Sequence, residues 1–186
     1  GQIVLNDYSF GAVRLSADSS SYIPNYTSKL YIRKGGLMTF EGKAKIGAGF
    51  SIAVSENGNI TFGDNFYCNK NVYFKCTQNS QLKFGKECKV GWACEFTTSD
   101  GHELYKNNKV SNIDSSVIIH DHCWITSHCL IGKGVRIASD CIISKGAIVT
   151  KSIYDQYSVI GGVPAKVIST DVKWSKEAKN IRNDFN

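Results

Sequence analysis

The chemistry within reach of this chain begins with its four histidines. An unperturbed imidazole titrates near about pH 6.5 and can therefore move protons at neutral pH. His102 closes the stretch Ser99-Asp100-Gly101-His102, directly before the polar segment 103–109. A histidine beside a loop excursion is placed for general-base work, although a solvated turn histidine has the same appearance. His120, His122 and His128 raise a zinc site, which needs three protein ligands and a water. Two of them are only two residues apart, and His122 and His128 share one phase of the repeat on successive faces, so they point in different directions; no metal is expected. Seven cysteines, at 68, 76, 88, 94, 123, 129 and 141, form no Cys-x-x-Cys pair and are odd in number. A zinc ribbon or a disulfide framework is excluded on that pattern.

The elements that must position these groups follow from a six-residue period. Ile119, Ile125, Ile131, Ile137, Ile143 and Val149 are all β-branched and recur without exception. Two places before them lie Val117, Cys123, Cys129, Val135, Cys141 and Ala147, and one place after them lie mostly small residues. Upstream, Phe40, Ile46 and Ile52, then Phe62, Cys68 and Phe74, then Phe84, Val90 and Phe96 keep the step. Positions two apart point the same way along a strand, and a small residue then suits a corner. Three such units close a triangular coil, so the expected fold is all-β, a left-handed parallel β-helix. Coils stack at about 4.8 Å, with Ile119 on Ile137 and Ile125 on Ile143. Cys88, Cys94, Cys123, Cys129 and Cys141 take an inward slot and should act as compact apolar residues.

Polar turns at 55–58 and 76–79 interrupt the array as loops. The longest break lies between Phe96 and Ile119 and should protrude near 103–113. Residues 1–28 carry no repeat and are expected to be short strands or irregular, with Leu30 and Ile32 opening the first coil of a domain spanning 29–168. Trp174, Ala178, Ile181 and Phe185 mark one face of a short C-terminal helix within 169–186.

The net charge of +6 is spread over 22 Lys and Arg, which suits an anionic small molecule. Aromatic residues do not interleave with a basic stripe, and no nucleic-acid motif is present, so nucleic acid is not an expected partner. No run reaches the roughly 20 apolar residues of a spanning helix. Nothing near the start reads as a signal peptide, and a cytoplasmic location without membrane insertion is expected.

Residues 30–168 resemble the hexapeptide-repeat acyltransferases, in the branch of galactoside and maltose acetyltransferases and the O-acetyltransferases of capsule and O-antigen sugars. Ile119-His120-Asp121-His122-Cys123-Trp124-Ile125 stands for that family's Ile-Gly-Asp-x-Val-Trp-Ile. Gly146-Ala147-Ile148-Val149-Thr150-Lys151 and Gly161-Gly162-Val163-Pro164-Ala165-Lys166-Val167-Ile168 follow its closing pattern. The resemblance implies acetyl transfer from acetyl-CoA to a hydroxyl or amine of a sugar-containing acceptor, by a homotrimer. It makes His102 the base, Trp124 a wall of the site, and Asn69 in Tyr67-Cys68-Asn69-Lys70-Asn71 an acceptor contact beside Tyr67. Coenzyme A would run along stacked corners past Ser127 and Ser144, its phosphates near Thr150, Lys151 and Lys166. Cys76 and Thr77 replace the acidic pair of galactoside-type members, which puts a galactoside acceptor in doubt. The alternatives are a zinc protein like the γ-class carbonic anhydrases and a non-catalytic scaffold.

Overall fold

A computed structural model describes residues 1–17 and 27–176. The chain winds through three sheets in turn, forming a left-handed β-helix. The first face stacks Gln2–Leu5, Leu37–Phe40, Asn59–Phe62, Gln81–Phe84, Val117–Ile119 and Arg136–Ile137, all parallel. Val13–Ala17, Ala44–Gly47, Phe66–Cys68, Lys89–Val90, Trp124–Ile125, Ile142–Ile143 and Val159–Gly162 make the second face, closed by the antiparallel strand Ala165–Ser169. The third runs from Lys29–Ile32 through Ser51–Val54, Tyr73–Cys76, Glu95–Thr97 and Leu130–Ile131 to Ile148–Val149. Among the described residues no helix is long and apolar enough to cross a membrane.

The register fulfils the period. Ile119 pairs with Ile137, Ile125 with Ile143, and Ile131 with Val149, and all six are fully buried. All seven cysteines are free and buried among them. Burial pushes the thiols of Cys68, Cys76 and Cys141 up, as for any group whose anion would lose water.

Coil width changes along the axis. The upstream coils mostly use strands of three or four residues, the later ones of two. A wider triangle needs larger fillers, and phenylalanines supply them. Phe40, Phe62 and Phe84 stack with centroids 5.1 and 5.7 Å apart, and Phe74 lies on Phe96 at 5.4 Å. Phe84 meets Phe96 edge-on at 4.9 Å, so the two stacks lock together. The second insertion begins inside a strand, whereas 55–58 is a turn as expected. Cys76, expected in a loop, is a buried strand residue.

Two further expectations change. The array extends upstream of Leu30, because Gln2–Leu5 and Val13–Ala17 pair in parallel with the first two strands of their faces. The hexad count missed them because an eight-residue step separates Leu5 from Val13. Trp174 lies in irregular chain, with its ring stacked on His122 at 4.2 Å and its Nε1–H donating to the His122 carbonyl at 2.9 Å. The rest of the expected helix, with Ala178, Ile181 and Phe185, lies outside the described residues.

Stacking also orders the outside of the second face. Arg14, Lys45, Tyr67, Lys89 and Trp124 follow one another in register. Three basic and two aromatic residues thus share one row, which the reading along the chain did not show, because the coil brings together residues that are 22 or more positions apart.

The break between the third and first faces is a small antiparallel hairpin, Tyr105–Lys106 with Lys109–Val110. Asn107 and Asn108 both have positive φ, 51° and 58°, as a type I′ turn requires. Asn112 fastens its base: Nδ2 donates to the His102 carbonyl at 2.8 Å and to Asp100 Oδ2 at 3.1 Å, while Oδ1 accepts from the Leu104 N–H at 2.6 Å. Lys133, on the next coil, reaches back to Asp100 Oδ2 at 2.6 Å and to the Asn112 carbonyl at 2.7 Å. Hydrogen bonds from Lys133 and then Asn112 hold the Asp100 carboxyl below its ordinary range.

Phe84→Ala should cost about 3–5 kcal/mol, read as a lower denaturant midpoint, because it opens a cavity between both phenylalanine stacks. Lys133→Met should leave the melting temperature nearly unchanged. It should speed amide exchange in 103–113 roughly tenfold, the effect of losing one charge-assisted contact on local opening. A depressed carboxylate stabilises above its unfolded pKa, so protection of the hairpin should also fall as pH drops below about 4.

Candidate functional site

His102 sits at the edge where the third face turns into the first. Gly101 before it has φ of 88°, a conformation that side chains resist, and this turns the chain outward. The histidine borders a cavity of about 340 Å³ with Ser99, Gly101, Val110, Asn112 and Asp114. Its backbone is tied by Asn112, while its exposed imidazole makes no hydrogen bond among the described residues. Thr150 and Lys151 follow Ile148–Val149 at the same edge, and both are exposed. In register, Lys151 stands one coil beyond Lys133.

Tyr67, Asn69, Trp124 and Ser127 gather at a different edge, between the second and third faces, around a cavity of about 210 Å³. Asn69 Oδ1 accepts from the Lys70 N–H at 2.9 Å, which leaves its Nδ2 free to donate. Gly91, which lines the cavity, lets the two coils approach at this corner: a Cβ there would stand 2.6 Å from the Thr126 carbonyl oxygen. Ser127 is buried, and its carbonyl accepts from Gly146 on the next coil. Ser144 continues the same edge, its N–H bonded to the Ile160 carbonyl. Lys166 is exposed on the closing hairpin, opposite Gly161.

Sequence reasoning missed two neighbours of Trp124. Trp92 lines the same cavity and is 51% exposed, and Lys89 forms part of its floor. Trp174 approaches Trp124 to 5.9 Å, so the chain's three tryptophans collect here. A tryptophan just after a glycine at a repeat corner was the available signal for Trp92. The Lys89 ammonium lies 5.9 Å from the Trp174 ring and donates to the Lys176 carbonyl at 3.0 Å. Burial, then the nearby Lys176, lowers its pKa.

The expected residues therefore fall into two sets on two edges of one prism. His102, Thr150 and Lys151 share one edge. Tyr67, Asn69, Trp124, Ser127 and Ser144 share the other, and the third face lies between them. Within one chain His102 and Trp124 border separate cavities. The remaining histidines do not converge. His122 Nδ1 lies 2.9 Å from Asp140 Oδ1, and His120 and His128 are exposed. Among the described residues no group of three His, Cys, Asp or Glu side chains could hold a metal ion.

No protein-family model matches the sequence. The chain is 30% identical over 121 residues to the galactoside O-acetyltransferase of Escherichia coli K12, a match that covers 65% of this chain and 49% of that protein. It thus spans about half the length of this relative. In fold it is similar to a hexapeptide-repeat-containing acetyltransferase of Vibrio cholerae solved with acetyl coenzyme A, with a TM-score of 0.59 at 20% identity over 74% of this chain and 71% of that one. A polysialic acid O-acetyltransferase matches with a TM-score of 0.51 at 18% identity, covering 97% and 94%. The unbroken hexads and the three-faced parallel prism give the chain the left-handed β-helix fold of hexapeptide-repeat proteins, and in sequence it is similar to galactoside O-acetyltransferase.

Proposed function

We propose that the protein transfers an acetyl group from acetyl-CoA to a hydroxyl or amine of a sugar-containing acceptor, at sites shared between neighbouring subunits of a homotrimer. One observation carries the reading: the base and the acceptor pocket lie on different edges of the same prism. Setting one chain's His102 edge against the next chain's Trp124 edge completes a site that neither chain holds alone. A cyclic trimer supplies that contact three times and closes.

In the reaction, a nitrogen of the His102 imidazole takes the proton of the acceptor hydroxyl as its oxygen attacks the thioester carbonyl. A carbon–oxygen bond forms, the tetrahedral intermediate collapses, and the carbon–sulfur bond breaks. The imidazolium returns its proton to the leaving thiolate, so no acyl-enzyme is needed. General-base assistance of this kind contributes about 10²- to 10⁴-fold. Positioning supplies more: Asn69 Nδ2 and Tyr67 orient the acceptor, and Trp124 excludes water. Ser127 and Ser144 line the path of the pantetheine arm, and Thr150, Lys151 and Lys166 draw the phosphates of the coenzyme by charge.

The acceptor differs from that of the galactoside-type members. Cys76 is buried and Thr77 is consumed in a hydroxyl cluster, its Oγ1 lying 2.8 Å from Thr98 Oγ1. Neither is available to a sugar.

His102→Ala should lower kcat at least roughly 10²-fold while acetyl-CoA affinity stays within a few-fold, because the lost interaction exists only in the transition state. Trp124→Ala should damage KM and kcat together, and His128→Ala should change neither. Steady-state kinetics with an accepted sugar separates the three. Refolding His102→Ala and Trp124→Ala together should restore roughly a quarter of wild-type activity through sites that draw each intact residue from a different chain. No recovery, or a monomer in light scattering, would reject the shared site.

A further inference from the structure

The outward row of the second face continues beyond the transfer pocket toward the N-terminal coils. Its members from Arg14 to Trp124 sit one coil apart, about 4.8 Å per step. That step is comparable with the advance of one monosaccharide in an extended glycan. Two cavities follow the row. One of about 300 Å³ is lined by Arg14, Lys43, Lys45 and Tyr67; the other is the acceptor pocket, and Tyr67 belongs to both. They meet at Tyr67, the first opening where the chain enters the second face and the other where it leaves, so a ligand on this track crosses the face toward Asn69 and Trp124.

We propose that this track binds an extended acidic saccharide, the polymeric acceptor that presents a hydroxyl to the transfer site; the proposal rests on the transferase reading above. Charge is the first reason. Among the described residues neither Arg14 nor Lys45 has a carboxylate within ion-pair distance. Of the acids nearby, Asp64 is engaged by the backbone N–H groups of Lys43 and Asn65, each at 2.8 Å, and Asp7 accepts from the Ser9 N–H at 2.8 Å and faces Lys43 rather than Arg14 or Lys45. Unneutralised cations one coil apart match carboxylates repeating along a polymer. Shape is the second. Tyr67 follows the two cations and Trp124 ends the row, and both offer ring faces suited to the C–H surfaces of pyranose rings; Lys45 Nζ already lies 5.7 Å from the Tyr67 centroid. Direction is the third. Thr150, Lys151 and Lys166, assigned to the coenzyme, all lie toward the C-terminal coils, so donor and polymer approach the site from opposite ends. Lys89 contributes less charge, since its ammonium is bound to the Lys176 carbonyl at 3.0 Å.

The test compares wild type with a variant carrying both Arg14→Glu and Lys45→Glu. The probes are polysialic acid, polygalacturonate, dextran as a neutral control, and single-stranded DNA. Binding is followed by tryptophan fluorescence without acetyl-CoA, and transfer is measured separately. At least one carboxylated polymer should bind wild type, more weakly as salt rises, and lose roughly tenfold or more in affinity in the variant. Acetyl-CoA affinity should be unchanged, which also shows that the variant is folded. A variant carrying Arg14→Lys and Lys45→Arg keeps the charge and should retain binding. Binding of neither acidic polymer, equal binding of dextran, unaltered affinity in the charge-reversed variant, or tighter binding of DNA would each overturn the track. Because binding is read apart from turnover, a protein that binds the polymer but transfers nothing would keep the track and reject the transferase reading. Transfer to a small sugar with no polymer binding would do the reverse.

Discussion

Parallel hydrogen bonding between successive coils is the constraint on which everything else rests. Each strand can satisfy its backbone groups only by lying in register on the strand one coil before it. Once that register is fixed, every inward side chain must stack on its counterpart, and so must every outward one. The run of Ile and Val along the later coils and the phenylalanine stacks of the earlier ones are two solutions to one packing demand, differing in the width of the triangle to be filled.

The change of width bears on the site. Where wide coils give way to narrow ones, between the third-face strand Glu95–Thr97 and the first-face strand Val117–Ile119, the chain leaves the prism and forms the hairpin behind His102. A rigid array offers few places for a catalytic loop, and here the loop leaves at a corner while the strands on either side stay paired across the junction. Asp100, Asn112 and Lys133 then tie the excursion back to the next coil, so His102 is held at its backbone while its ring stays unengaged.

The outer surfaces follow the same rule with different chemistry. Stacking at the second–third edge collects Asn69, Gly91, Thr126 and Ser144, whose small or polar side chains leave a groove. On the second face it collects cations and rings in one row. Glycine at 91 lets the coils stack closely where any Cβ would meet the neighbouring backbone. Docking of Trp174 on His122 brings the third tryptophan toward Trp124, and Lys176 pairs with Glu87 at 3.2 Å on the same side.

The repeat alone determined the architecture of this protein, because a β-branched residue every sixth position has one economical burial, a coil stacked on itself. It also determined that cysteines such as Cys123 and Cys141 are core residues, since they occupy slots that face inward. The Gly101-His102 pair before a polar insertion was legible for the same reason: it interrupts a pattern otherwise kept. Only the tertiary structure decided what lies beside what across coils. The participation of Val13–Ala17 was hidden because unequal loops hide a period from counting, and the Asn107-Asn108 hairpin because its strands are two residues long. That Arg14, Lys45 and Tyr67 form one row, that Trp92 joins Trp124, and that His102 and Trp124 stand on separate edges depend on registers between residues 22 or more apart. Such neighbours are set by hydrogen bonding between coils, which leaves no mark on the order of residues along the chain.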